Sequence, residues 1–140
     1  MVSPSRRLCL HVTDGWAANG IASARSLAKM FAAMIGPIDG VQFLSREAMD
    51  QARLERWRGL DLVMGVENAV GLGFLLPTEW RPLGGAGSFG TAGFGGSRAW
   101  ANPELELAFA YTPNLCSLGH FDAREAALSR TVVDCALRVG

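Results

Sequence analysis

A chain of 140 residues, 49% hydrophobic and 19% charged, with a mean hydropathy of +0.18, suits one domain with a buried core. That composition excludes a disordered segment, and the length excludes a large multidomain enzyme. Thirteen basic against thirteen acidic residues leave a formal net charge of zero, so no whole-chain field recruits nucleic acid, anionic lipid or an acidic substrate, and no apolar run reaches the roughly 18–20 residues of a membrane span.

Residues 1–20 carry no clear period and end in Asp14-Gly15 and Asn19-Gly20, so 1–18 reads as loop or frayed terminus and 19–140 as the domain. Arg6 and Arg7 precede an apolar stretch that breaks at His11, Thr13 and Asp14, too early for a signal peptide, which predicts a cytoplasmic protein. Ser23 is a plausible N-cap, Leu27, Ala28, Phe31, Met34 and Ile35 follow helical spacing, and Gly36-Pro37 supplies the stop. After a turn at Ile38-Asp39-Gly40 and a short extended piece, Ser45 can cap a second helix running to about Trp57. Val70, Leu72, Phe74 and Leu76 then alternate with Gly71, Gly73 and Leu75, which predicts a strand ended by Pro77. Residues 84–97 are glycine-rich and read as a turn entering a strand.

Two segments, 97–101 and 105–112, bracket Asn102-Pro103-Glu104, with Leu105, Leu107, Phe109 and Tyr111 at period two, so a β-hairpin is expected. Asp122 and Glu125 resemble a capping box for a closing helix whose buried stripe would be Leu128, Val132, Cys135, Ala136 and Val139. Strands clustered together, with helices before and after, give an α+β fold: an antiparallel β-sheet flanked by helices.

Cys9, Cys116 and Cys135 fit neither a disulfide scaffold nor a zinc site and read as buried free thiols; no metal and no cofactor are expected. Gly85-Ala-Gly-Ser-Phe-Gly90 matches the dinucleotide fingerprint in letters only, because the Thr-Ala-Gly-Phe-Gly-Gly behind it cannot open a helix on pyrophosphate. Ser26-Leu-Ala-Lys29 matches SxxK, in which a lysine one turn away activates a serine, and Lys29 is the only lysine in the chain. The same pair is also what a solvated helix face looks like. His11 and His120 lack a patterned partner, and Tyr111 reads as a core tyrosine. Trp16, Trp57, Trp80 and Trp100 form no basic-aromatic platform and read as core or pocket wall.

From Ser88 to Asn114 the chain resembles the C-terminal end of the serine β-lactamase-like family, and more closely the class C β-lactamase-related esterases. Asn19 to Met34, Ile38 to Ser45 and Gly71 to Leu75 resemble successive segments of that family in its own order. The resemblance implies a partial β-lactamase/transpeptidase-like fold and a serine that attacks an ester or amide carbonyl to form an acyl-enzyme. It places Thr91-Ala92-Gly93 at the third active-site motif, where the family has Lys or His, then Thr or Gly, then Gly. Thr91 supplies no positive charge, Gly93 is retained, and the backbone N–H of Phe94 takes the oxyanion-hole position. The family's nucleophile and tyrosine motifs, which precede these segments, have no counterpart here. Ser26-Leu-Ala-Lys29 falls on a helix downstream of both, so its SxxK match is accidental on this alignment.

The expectation is therefore a truncated β-lactamase-related serine hydrolase, inactive alone, whose partners are a small ester or amide substrate and either a second copy or a complementary N-terminal fragment. Neither nucleic acid nor membrane is expected to bind. Two alternatives stand beside it: a compact hydrolase using Ser26 and Lys29, and a non-catalytic binding module whose Gly-rich groove is walled by Trp80 and Trp100.

Overall fold

The computed structural model describes residues 20–93, 95–116 and 123–139. Helix α1, Ala24–Ile35, begins where the sequence predicts: Ser23 Oγ accepts from the Ser26 N–H at 3.1 Å, and the Ser23 carbonyl takes the first helical bond from Leu27. It stops at Gly36, whose N–H reaches the Ala32 carbonyl at 3.0 Å, and Pro37 has no N–H to continue. Helix α2, Arg46–Arg53, is capped by Ser45, with Glu47 in its first turn and Arg53 in its last, both favourable to the helix dipole.

α2 is shorter than the predicted helix to Trp57. Leu54 is already extended, and Trp57 opens strand β1, Trp57–Asp61, which pairs antiparallel with β2, Val66–Val70. This hairpin has no counterpart in the sequence reading. Its turn is organised by Asp61, whose Oδ1 accepts from the N–H groups of Val63 and Met64 at 2.9 and 3.0 Å and whose Oδ2 accepts from Asn68 Nδ2 at 3.2 Å. The Met64 N–H, the Asn68 amide and the Val63 N–H together hold the Asp61 carboxyl below the usual carboxylate range.

The predicted strand from Val70 to Leu76 is also corrected. β2 ends at Val70, the chain turns through 71–74, and Leu75 returns as a single bridging residue. A Cβ on Gly71 would collide with the Ala52 carbonyl, which explains a glycine at this turn. Leu75 exchanges hydrogen bonds with Gly90 at 2.8 and 3.0 Å while Leu76 N–H bonds the Ala69 carbonyl, and so joins the β1–β2 hairpin to a three-stranded sheet. That sheet is β3, Phe89–Ala92, then β4, Arg98–Asn102, then β5, Leu107–Tyr111, antiparallel throughout, with Phe89 opposite Ala101 and Trp100 opposite Phe109. The glycine-rich entry into β3 and the hairpin around Asn102 to Glu104 are both found.

α1 packs on β4 and β5. Phe31 from α1 meets Phe74 and Phe89 at centroid separations of 6.2 and 6.3 Å, and Ala99, Ala101, Met49, Ala69 and Leu76 complete that core. Helix α3, Ala123–Val139, lies against β5, and through Glu125 and Ser129 it meets the sheet face carrying Arg98 and Trp100. The fold is thus an α+β antiparallel sheet flanked by helices.

α3 does not bury the predicted apolar stripe: Leu128 is 44% exposed, Val139 is 89% exposed, Cys135 is exposed, and the buried residues are Glu125 and Ser129. Trp100 Nε1–H donates to Ser129 Oγ at 3.0 Å, Ser129 donates to Glu125 Oε1 at 2.6 Å, and Glu125 Oε2 stands 2.9 Å from Arg98 Nη2. Buried indole and guanidinium donors need acceptors, and that need turns the helix's polar face inward. Glu125 is spent on this network, and Asp122 of the expected capping box lies outside the described residues. The thiols are likewise not buried: Cys116 and Cys135 are exposed, and Cys9 lies outside the described residues.

Candidate functional site

The candidate third motif, Thr91-Ala92-Gly93, sits at the end of edge strand β3. Gly90 turns its N–H and C=O toward Leu75, away from β4, and Gly93 turns its N–H back to the Ser97 carbonyl at 2.9 Å. Direction alternates residue by residue in an antiparallel ladder, so the peptide groups of Ala92 point the same way as those of Gly90. They lie beyond the single-residue bridge at Leu75, on an edge with no partner among the described residues. A shallow groove of about 370 Å³ runs along it, bordered by Gly71, Gly73 and Phe74 on one side and Gly90, Thr91 and Ala92 on the other.

Thr91 is exposed on the face it shares with Ala99, Ala92 is half-buried, and Gly93 is exposed beside Ser97. The groove is lined by main chain, apolar side chains and Thr91, and no charged side chain lines it. It can orient an extended acyl or amide group by backbone hydrogen bonds and can meet developing negative charge with N–H donors. Phe94 lies outside the described residues, as do His11, His120 and Trp16.

Ser26 and Lys29 are both on the solvated side of α1, while Leu27 and Phe31 face the core. Ser26 Oγ is 2.9 Å from Ser23 Oγ, and Lys29 Nζ is 2.7 Å from Asp39 Oδ2, an ion pair whose hydrogen bond and charge lower the Asp39 pKa. Each group of the SxxK pair is thus bonded to a different partner.

Trp80 and Trp100 do not wall the groove, contrary to the expectation for a binding module. Trp100 is fully buried and stacked on Phe109 at 5.3 Å, and Trp80 donates its Nε1–H to the Glu67 carbonyl while its ring lies 4.9 Å from the Arg81 guanidinium. Tyr111 is half-buried on the Phe109 side of β5, and Trp57 is 46% exposed at the start of β1.

Two supporting residues carry no local sequence signal. Asn102, 2% exposed, donates through Nδ2 to the carbonyls of Gly84 and Ala86 at 2.9 and 3.0 Å and accepts at Oδ1 from the N–H groups of Glu104 and Leu105 at 3.0 and 3.3 Å. It fastens the glycine-rich approach to β3 onto the β4–β5 turn. Arg81, 4% exposed, donates to Asn68 Oδ1, and its burial together with the charge of Arg98 pushes its pKa down to about 10, which leaves it cationic at neutral pH. A wider cleft of about 650 Å³ between α2 and Gly87-Ser88 is rimmed by charges already paired: Arg53 with Asp50 and Glu104, and Arg58 with Glu55 and Glu67. Each arginine thus faces two carboxylates, so the rim carries an excess of negative charge and no unpaired cation for an anionic ligand. Among the described residues, no group of three or more His, Cys, Asp or Glu could hold a metal ion, and no helix is long and apolar enough to cross a membrane.

An antiparallel sheet flanked by helices, with a glycine-rich strand at its open edge, is an architecture shared with β-lactamase/transpeptidase-fold proteins. The chain belongs to the beta-lactamase family, whose description, Beta-lactamase, matches residues 3–132. It is 41% identical over 102 residues to Esterase/beta-lactamase LipL of Mycobacterium tuberculosis, covering 70% of this chain and 23% of LipL. EstA from Arthrobacter nitroguajacolicus Rue61a superposes with a TM-score of 0.82 at 26% identity, over 95% of this chain and 38% of EstA. A family VIII carboxylesterase gives 0.75 at 25% identity, over 85% of this chain and 33% of its own. A penicillin-binding protein homolog from Caulobacter crescentus gives 0.71 at 26% identity, over 95% of this chain and 41% of its own. The chain thus spans less than half the length of each of these relatives.

Proposed function

We propose that these 140 residues furnish the third-motif side of a β-lactamase-family acyl-transfer site and do not complete acyl transfer by themselves. The observation that carries this reading is the free edge of β3 beside the groove, where the outward main-chain N–H of Ala92 is available to a carbonyl oxygen and, among the described residues, no activated nucleophile faces it. An acyl-enzyme needs a nucleophile within hydrogen-bond reach of its base, and Ser26 and Lys29 are each bonded elsewhere. Loss of the nucleophile alone removes on the order of 10⁶-fold of the acceleration in a serine hydrolase, leaving what binding and the oxyanion donors provide.

The serine and the tyrosine come, on this reading, from a complementary portion of the same fold. Thr91, standing where the family carries Lys or His, contributes shape and a hydroxyl but no charge. The substrate is a small ester or amide, and esters are favoured because LipL is described as an esterase/beta-lactamase and one structural neighbour as a carboxylesterase. The test is hydrolysis of p-nitrophenyl butyrate and of a chromogenic cephalosporin by the folded chain and by Ser26→Ala. Both proteins should match the buffer rate. A rate above buffer that Ser26→Ala abolishes would replace this reading with a compact SxxK hydrolase.

A further inference from the structure

We propose that the small cavity between α3, β4 and the segment 80–83 is a binding site for a monatomic anion, a halide such as chloride, held by Arg81. The cavity measures about 10 Å³, room for one water-sized body, and Trp80, Arg81, Arg98, Glu125 and Ser129 are among the residues that border it. A halide is little larger than a water and fits that space. Carboxylate, phosphate and sulfate are too large for it.

Two guanidiniums, those of Arg81 and Arg98, border the cavity together with one carboxylate, that of Glu125. Glu125 is already engaged: its Oε2 stands 2.9 Å from Arg98 Nη2, and its Oε1 accepts from Ser129 at 2.6 Å. Arg81 is 4% exposed, and among the described residues it forms no ion pair. Its Nη2 donates to two neutral oxygens, Asn68 Oδ1 and the Leu76 carbonyl, and the Trp80 ring lies 4.9 Å from the guanidinium. Those bonds reach a carboxylate only at one remove, where Asn68 Nδ2 donates to Asp61. The buried Nε of Arg81 has no hydrogen-bond partner among the described residues.

A buried cation set among neutral acceptors and beside a second cation is costly unless a counter-charge reaches it. Burial and the charge of Arg98 lower the Arg81 pKa to about 10, and at neutral pH the group still carries its proton. Water in the cavity would accept from the Nε–H but leave the charge uncompensated. An anion does both, through a charge-assisted hydrogen bond. The site is complete within this chain: its bordering residues all belong to it, and Arg81 and Arg98, at 4% and 6% exposed, are already shielded without the rest of the fold. An ion held there joins α3 to the segment that leads into the glycine-rich approach to β3, at a place separate from the groove at Thr91 and Ala92.

Urea unfolding of the full chain, at constant ionic strength with sodium chloride replacing sodium gluconate, tests the proposal, because gluconate is too large for the cavity. The folding constant should rise about tenfold for each tenfold increase in chloride beyond the dissociation constant, and bromide should act likewise. Arg81→Gln should remove that response. Because this variant could fail to fold, crystals of the unaltered chain grown in bromide supply a second reading: an anomalous peak should stand in the cavity beside Arg81. Equal stability in chloride and gluconate, or a cavity that holds water with no anomalous signal, overturns the proposal. A halide response that Arg81→Gln retains places the ion elsewhere and overturns it as well.

Discussion

Replacing Asn102 by Ala tests the physical argument for how the glycine-rich strand is held. The side chain is 2% exposed and makes four hydrogen bonds, two of them donations at 2.9 and 3.0 Å to the carbonyls of Gly84 and Ala86. A net hydrogen bond contributes about 1 kcal/mol, and a buried acceptor left without its donor costs about 1–3 kcal/mol, so Asn102→Ala should destabilise the fold by about 2–4 kcal/mol. At about 3–5 °C per kcal/mol for a domain of this size, the melting temperature should fall by about 6–20 °C. Urea unfolding followed by circular dichroism measures the first figure and calorimetry the second. Asn102→Asp sharpens the test, because it keeps one acceptor oxygen but aims the other at two carbonyl oxygens. Its carboxyl would have a folded pKa raised above the unfolded value, so its deficit should grow as pH rises from about 4 toward that folded value and shrink in acid. A fall of less than about 3 °C for Asn102→Ala would refute the claim that this amide fastens the loop.

Glu125→Gln keeps an acceptor for Ser129 but withdraws the carboxylate 2.9 Å from Arg98 in a site where both side chains are at most 6% exposed. A loss of about 3–5 kcal/mol by urea unfolding is expected, and a loss below about 1 kcal/mol would contradict the assigned role of the pair. For Asp61, the folded pKa lies below the unfolded one, so its stabilisation is present above the unfolded value and is lost as pH falls through the depressed value. The stability difference between the native chain and Asp61→Asn should therefore be constant from about pH 8 to about pH 5 and narrow toward about pH 2; a difference that does not change with pH would contradict it.

What the sequence made legible was what local chemistry decides. α1 announces itself through Ser23 and Gly36-Pro37, because a cap and a stop act on the residues beside them. The β4–β5 hairpin is visible in the period-two run of Leu107, Phe109 and Tyr111. The β1–β2 hairpin is not. Its strands carry Arg58 and Glu67, which pair across it at 3.0 Å, and its exposed tip carries Leu62 and Val63, so neither alternation nor polarity marks it. α3 misled for a related reason: Glu125 and Ser129 are buried because Arg98 and Trp100, far back in the chain, need their oxygens. At the site, the glycine-rich order Thr91-Ala92-Gly93 could be read directly, but Asn102 looked like a turn residue, since its role depends on carbonyls 16 and 18 positions upstream. The groove opposite β3 was hidden too, because Gly71 to Phe74 has the alternation of a strand and in fact turns.

The most direct test of the central claim is labelling of the folded chain with a fluorophosphonate serine probe, with adducts located by peptide mass spectrometry and Ser26→Ala as the control. The account predicts no adduct on any serine while circular dichroism reports a folded protein. An adduct on Ser26 that vanishes in the control would contradict it, and would make Ser26 and Lys29 the working pair of a complete, compact hydrolase.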